Sequence, residues 1–338
     1  GQDCPEARFF NADAAGGRVM KDGGGQEWLC IVGGKRFVGG GGFRDNETWL
    51  LGPLGPACHA DRWRWREVQP DGQVQSVSRP KPRFHHTLTS VDLGDRNLSD
   101  PCRGSHLIIL GGHDHTISAI ACMWILSLNH VVLGRTPDAD QPLGAVTETD
   151  LVRWRLAPTK FRFRSHGEDL LDESNDESLR AAAPGGPTAP RAGHAACEWR
   201  TVGHGGQKGG LLVMGGLPEH LFGRANAMPA NGLEAGGLWL LHDWASASES
   251  VTLAQEFAWA AAGMTTQEVT NMRTALRSSW TFLAPQPPSS FATHHFDMIV
   301  TRGHQLVCSN GTNVLLMLDL CASKHGALAS WDTVLLGG

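Results

Sequence analysis

The chain contains no tyrosine. A tyrosyl ligand, a tyrosyl radical and a phenolic general acid are therefore excluded. Its eight cysteines lie at 4, 30, 58, 102, 122, 197, 308 and 321, and no two form a Cys-x-x-Cys pair. That spacing points away from zinc ribbons and dithiol redox motifs. Several of the cysteines sit in apolar runs such as "WLCIVGG" and "QLVCSNG". Buried free thiols in a reducing compartment, the cytoplasm, are the expectation. No apolar run reaches about eighteen residues, so no membrane-spanning helix and no membrane partner is expected. A basic start followed by an apolar stretch is missing too, so no secretory signal is read. The formal net charge is −5. No global basic field draws such a chain onto nucleic acid, and no DNA partner is expected. The first residue is Gly rather than Met, and the expectation is a processed chain or part of a longer one.

What is present is glycine and proline, 42 and 18 of them in 338 residues, with 41% hydrophobic residues. That composition suits many short strands joined by turns around a sizeable core. A four-part phrase then recurs in fixed order. A strand opens at Arg-x-x-His or a variant: Arg8-Phe-Phe-Asn11, Arg83-Phe-His-His86, Arg191-Ala-Gly-His194 and the degraded "FATHHFDMIV". An apolar strand follows and ends in a glycine pair: Gly33-Gly34, Gly111-Gly112 and Gly215-Gly216, with Asn310-Gly311 as the fourth copy. The next strand carries Trp in "ETWLLGPL", "CMWILSLN" and "GLWLLHD", and loses it in "VLLMLDL". The last strand is marked by Trp65, Trp154, Trp280 and Trp331.

Apolar runs of four to six residues suit strands buried on both faces. Adjacent glycines let the backbone leave a strand at positive φ. Tryptophan fills the wedge between neighbouring sheets. Units of four antiparallel strands that cannot bury both faces alone must stack radially, as the blades of a β-propeller do.

The phrase resembles the kelch repeat, and the resemblance spans nearly the whole chain. It implies an all-β fold, a kelch-type β-propeller of four-stranded antiparallel blades. A single domain over 1–338 is expected, with blades at about 7–70, 82–158, 190–285 and 291–336. Kelch repeats run roughly 50 residues. The longer spacing here implies insertions, at about 159–189 and 244–277. The first is charged and rich in Ser, Ala and Pro and reads as an exposed, partly disordered loop. The second favours helix, with Thr265 and Glu268 as a capping box. Four blades make a small ring, so further blades are expected outside this segment.

Histidines cluster at His85-His86, His113-x-His115 and His294-His295. His86 and His194 hold the repeat's own position, so a structural hydrogen bond to a neighbouring turn is expected of them. His113, Asp114 and His115 follow a glycine pair and are the better ligand candidates. No metal or other cofactor is assigned. Copper sites of galactose-oxidase-like rings use Tyr ligands, which this chain lacks. The Glu-x-x-x-Asp-x-x-x-His iron motif of plant specifier proteins fails at Asp176, where His is required. Nucleophile-elbow, zincin and phosphate-loop motifs are also missing, and no catalytic residue is assigned.

Two basic–aromatic stretches remain. In "RWRWRE", alternation along a strand would place Trp inward and Arg outward. In "FRFR", Arg162 and Arg164 open the 159–189 insertion and read as a docking arm. The resulting expectation is a non-catalytic scaffold that binds a protein partner through loops on one face. The contact residues would be Arg36, Arg44, His113, His115, His220, Arg224, Arg162 and Arg164, which suit an acidic peptide or phosphate surface. The alternative partner is tRNA. The phrases "RFHHTLTSV", "LIILGG", "PRAGHAAC" and "LLVMGG" are similar to the kelch region of leucine carboxyl methyltransferase-like, wybutosine-synthesizing proteins. That resemblance implies a non-catalytic half of a tRNA-modifying enzyme.

Overall fold

The computed structural model describes residues 4–5, 8–9, 17–38, 41–44, 47–54, 63–68, 80, 82–92, 104–113, 123–133, 152–156, 162–164, 191–203, 206–218, 237–241, 279–284, 296–321 and 330–336. The described chain is all-β apart from one short helix, α1 (His130–Leu133). The first sheet joins β2 (Arg18–Lys21), β3 (Glu27–Val32), β6 (Thr48–Leu54) and β7 (Arg64–Val68). The second joins β8 (Thr87–Asp92), β9 (Ser105–Leu110), β10 (Met123–Leu128) and β11 (Val152–Leu156). The third joins β13 (Arg191–Gly203), β14 (Gly206–Pro218), β15 (Leu238–Leu241) and β16 (Ser279–Ala284). The fourth joins β17 (Asp297–Val300), β18 (Gln305–Ser309), β19 (Val314–Asp319) and β20 (Asp332–Leu335). In each sheet these four strands are antiparallel and lie side by side in chain order.

Burial patterns show how the sheets stack. Every residue of β9 and β10 is buried, because the second sheet has a neighbour on each face. Strand β3 instead alternates half-buried and buried residues, as a strand covered on one face does. Three apolar clusters fill three gaps. Trp28, Cys30 and Leu50 meet Leu107, Ile109 and Leu126 between the first and second sheets. Ile108 and Ile125 meet Leu211 and Trp239 between the second and third. Leu212 and Leu240 meet Leu306 and Leu316 between the third and fourth. The opening strands also follow one another: β2 packs on β8, β8 on β13, and β13 on β17.

Several expectations change. The segment Arg8-Phe-Phe-Asn11 does not open the first sheet. Strand β1 (Arg8–Phe9) pairs instead with β4 (Lys35–Val38), which pairs with β5 (Gly41–Arg44) in a separate three-stranded sheet. The sheet's own opening strand, β2, carries no Arg-x-x-His tetrad and was not legible as a repeat. Arg36 and Arg44, expected on a loop, thus lie on the paired strands β4 and β5.

The start of the 159–189 insertion is also strand. Strand β12 (Arg162–Arg164) adds to the edge of the third sheet, parallel to β16, with Phe163 opposite Trp280. A parallel pair needs a long connection, and over a hundred residues separate these two strands. Residues 165–190, the 244–277 insertion with its capping box, and His294-His295 lie outside the described residues. In "RWRWRE" the side chains alternate between two sheet faces rather than inside and outside. Arg66 lies over the Trp28 ring at 5.5 Å from its centroid, on the face toward the second sheet, while Trp65 is on the other.

Candidate functional site

The glycine pairs share one backbone conformation, although Gly215 and Gly216 lie inside β14 rather than beyond its end. Their φ values are 62° and 95° at Gly33-Gly34, 62° and 88° at Gly111-Gly112, and 72° and 95° at Gly215-Gly216. In the fourth copy Gly311 is at 76°. The first two turns meet the Arg83 corner, and Gly215 is paired with His194. Arg83, 1% exposed, donates from Nη1 to the Gly111 carbonyl at 3.0 Å, and Gly34 N–H donates to the Arg83 carbonyl at 3.2 Å. One corner residue thus ties the first two glycine turns together.

The third residue of the tetrad holds a feature the sequence hid. Gly193 has φ of 67°, and its counterpart His85 has 55°. Left-handed backbone at a non-glycine is uncommon. Here it turns the His85 carbonyl toward the third sheet, where Gly193 N–H donates to it at 3.0 Å. Repetition of the fold therefore demands the conformation in both copies, although only one copy supplies glycine.

The repeat histidines face the preceding sheet. His194 Nε2 bonds Thr87 Oγ1 across the second and third sheets at 2.9 Å, and both residues are buried. The partner is the start of a strand rather than a turn. His86 is fully buried. Burial lowers its imidazole pKa to about 3, the Arg83 guanidinium adds to the lowering, and the Val32 carbonyl of the first sheet partly opposes it. Neither ring nitrogen meets a partner in full hydrogen-bond geometry, so Val32 acts as a nearby dipole rather than a well-formed bond.

His113 does not stand on an exposed rim loop. It is 5% exposed and is held to Phe84 by two backbone hydrogen bonds of 2.9 and 3.2 Å. Its ring lies 3.6 Å from the Phe84 centroid and stacks on His85 at 4.9 Å. Its expected role as a surface contact is corrected accordingly: the residue after the glycine pair folds back to bridge the tetrad. No group of three metal-ligating side chains occurs among the described residues.

The remaining site expectations divide by position. Arg36 and Arg44 lie on the β4–β5 hairpin, which begins directly after Gly33-Gly34. In its register Arg36 is opposite Arg8, and Lys35 is opposite both Phe9 and Arg44. Arg162 and Arg164 lie on β12, and Arg191 opens β13 opposite Pro218. His115, His220 and Arg224 lie outside the described residues.

The marker tryptophans repeat in register. Trp65 is opposite Leu51, Trp154 opposite Leu126, and Trp280 opposite Leu241. Trp331 packs against the cluster between the third and fourth sheets. The thiols Cys30, Cys197 and Cys308 are free, and burial raises the pKa of each, that of Cys308 to about 12. None is poised as a thiolate nucleophile near neutral pH.

No family model matches the chain, and no curated protein matches it. Among solved structures, the chain is similar to one chain of a cryo-EM structure of RAG in complex with one melted and one unmelted RSS. Identity is 10% and the TM-score 0.42, over 99% of this chain and 71% of that one. A likeness this loose carries no argument about fold or function.

Proposed function

We propose that the chain is a kelch-type β-propeller region that works as a non-catalytic scaffold and binds an acidic protein segment through the loops and hairpins beside its glycine pairs. Support for the propeller part is the stacking of four antiparallel four-stranded units through their opening strands, with the glycine turns repeating the same φ values. Radial stacking is the arrangement in which every such unit has a neighbour for each face.

The observation that carries the binding part is the register of the β1–β4–β5 sheet. Arg8 is paired with Arg36 and Lys35 with Arg44. That register gathers four cationic residues on adjacent strands, and an anionic segment suits such a group, arginine being the better donor of charge-assisted hydrogen bonds. The chain as a whole is acidic, so this basic hairpin is a local feature rather than part of a general field.

The test is fluorescence anisotropy with a labelled polyglutamate peptide as probe, at low and high salt, on wild type and on Arg36→Glu with Arg44→Glu. The expected result is salt-sensitive binding lost in the double variant, with the far-UV circular dichroism unchanged. Equal binding by both proteins sinks the assignment. Tighter binding to bulk tRNA than to polyglutamate, lost in the same variant, would favour the tRNA-associated reading instead.

A further inference from the structure

Histidine rings bond neighbouring strands and sheets, and the partner decides how each bond responds to acid. His194 meets the Thr87 hydroxyl at 2.9 Å, and His106 meets the Ser127 hydroxyl at 2.6 Å. A hydroxyl both donates and accepts, so either bond can reverse when the ring gains a proton. His304 differs. Its Nδ1 accepts from the Trp199 indole N–H at 3.3 Å, between the β17–β18 turn of the fourth sheet and β13 of the third. An indole only donates, so this bond exists only while Nδ1 holds a lone pair, with the ring neutral and its proton on Nε2.

The surroundings hold both rings in place. Trp199 is 3% exposed and packs in the apolar cluster between the third and fourth sheets. The two rings meet edge to face, with centroids 6.4 Å apart and planes at 70°. His304 is half-buried, and its backbone is left-handed at φ 60°. Backbone hydrogen bonds fix it there: His304 N–H donates to the Thr301 carbonyl at 3.0 Å, Thr301 N–H to the Gln305 carbonyl at 2.9 Å, and Leu320 N–H to the His304 carbonyl at 3.1 Å. The chain thus holds an imidazole at a backbone position that favours glycine. Charged groups on the elements that meet here are Arg302 in the turn, Asp297 in β17, Asp319 in β19, Lys208 in β14, and Glu198 with Arg200 in β13. Glu198 and Arg200 pair with each other at 2.8 Å, and burial keeps the Cys197 and Cys308 thiols neutral.

We infer that Trp199 and His304 form an acid-sensitive latch between the third and fourth sheets, closed while the imidazole is neutral and opened by its protonation. Histidine is the side chain whose ordinary charge change falls between about pH 5 and 8. A proton on Nδ1 sets N–H against N–H across the 3.3 Å contact. The indole is walled in by the cluster, so relief comes from the β17–β18 turn, where Arg302 and Gly303 are exposed. Strand β17 leads into that turn and is the strand that packs on β13, so movement of the turn loosens the junction. The contribution of the contact is present while the ring is neutral and is lost as pH falls. The inference is independent of the propeller reading and of the acidic-partner reading.

The experiment is NMR of the chain isotope-labelled at tryptophan and histidine, titrated from about pH 8 to about pH 5.5, with Trp199→Phe and His304→Gln assigning the two rings. Amide hydrogen exchange along β17, corrected for the intrinsic effect of pH, is measured at both ends of the titration. The expected result is an upfield shift of the Trp199 indole proton that shares its midpoint with the His304 ring, and exchange at least fivefold faster on the acid side. In His304→Gln the side-chain carbonyl accepts at every pH, so both effects should vanish. A Trp199 resonance that stays in place while His304 titrates would overturn the inference, as would a His304 ring that keeps one protonation state throughout. A shared titration without faster exchange would overturn the latch and leave only a local contact. Effects that persist in His304→Gln would assign the acid response to other groups. Should that variant fail to fold, the wild-type titration and exchange decide alone.

Discussion

Trp124 and Trp154 meet edge to face, with centroids 6.5 Å apart and planes at 86°. Trp49 and Trp65 repeat that geometry in the preceding sheet, at 6.5 Å and 83°. In both pairs the first tryptophan lies two residues before the register partner of the second, Leu126 for Trp154 and Leu51 for Trp65. Trp239 stands in the same relation to Trp280, through Leu241. In the first and second sheets this diagonal carries the aromatic contact, because diagonal neighbours remain within reach of large side chains.

The pair is expected to be coupled. Trp124 is buried, so Trp124→Ala should cost about 3–5 kcal/mol in urea unfolding. Trp154→Ala should cost less, because that ring is only half-buried. A double-mutant cycle should return about 0.5–1.5 kcal/mol of interaction. Simple additivity of the two substitutions would show that the edge-to-face contact contributes nothing beyond burial.

Asp22 organises the turn between β2 and β3. Its carboxylate accepts from Gly24 N–H at 2.8 Å, Gln26 N–H at 3.0 Å and Trp28 Nε1 at 3.0 Å. Asp22 is 4% exposed and Trp28 1%, so the buried indole N–H cannot turn to water, whereas Gly24 and Gln26 lie at the surface. Asp22→Ala should lower stability by about 3 kcal/mol, at about 1 kcal/mol for each lost hydrogen bond. Near-UV circular dichroism should report a disturbed Trp28 before global unfolding. An unchanged unfolding midpoint would refute this account of the turn.

Two glycines at positive φ should respond differently to alanine. Gly25 is at 82°, and a Cβ added there meets nothing within 4 Å. Gly25→Ala should cost only backbone strain, about 1 kcal/mol. Gly112 is at 88°, and a Cβ there would lie 2.8 Å from the Phe84 carbonyl oxygen and 2.9 Å from His86 Cβ. Gly112→Ala must push the glycine turn off the tetrad and should be clearly the more damaging of the two. Equal thermal shifts would contradict the close packing of that corner.

His86 gives stability a pH dependence of defined sign. Its ordinary pKa of 6.5 falls to about 3 in the fold, chiefly through burial. The unfolded chain therefore binds a proton that the folded chain refuses. Stability from this residue is intact above about 6.5 and declines as pH falls toward about 3, by up to about 1.4 kcal/mol per pH unit. His86→Leu should flatten the slope of unfolding free energy between pH 7 and 5, measured against wild type in the same buffers. A slope unaltered by the substitution would assign the dependence to other groups.

Sequence alone determined the unit and its order. Apolar runs, glycine pairs and marker tryptophans are local, periodic signals, and each constrains its own few residues through burial or backbone freedom. They located β3, β6 and β7 and the four antiparallel strands of each of the later three sheets. Tertiary structure decided what local pattern cannot encode. The first sheet takes β2 as its opening strand, while the tetrad-like Arg8–Phe9 pairs with the Lys35–Val38 strand, because strand pairing is chosen between segments far apart in the chain. Arg162–Arg164 joins a sheet edge more than a hundred residues away. His85 takes a left-handed backbone because the third sheet needs its carbonyl. His113 is drawn from a rim position into the corner by Phe84 and the His85 ring. In each case the deciding energy is a contact between segments apart in the chain, and a sequence read along one strand carries no record of its neighbour.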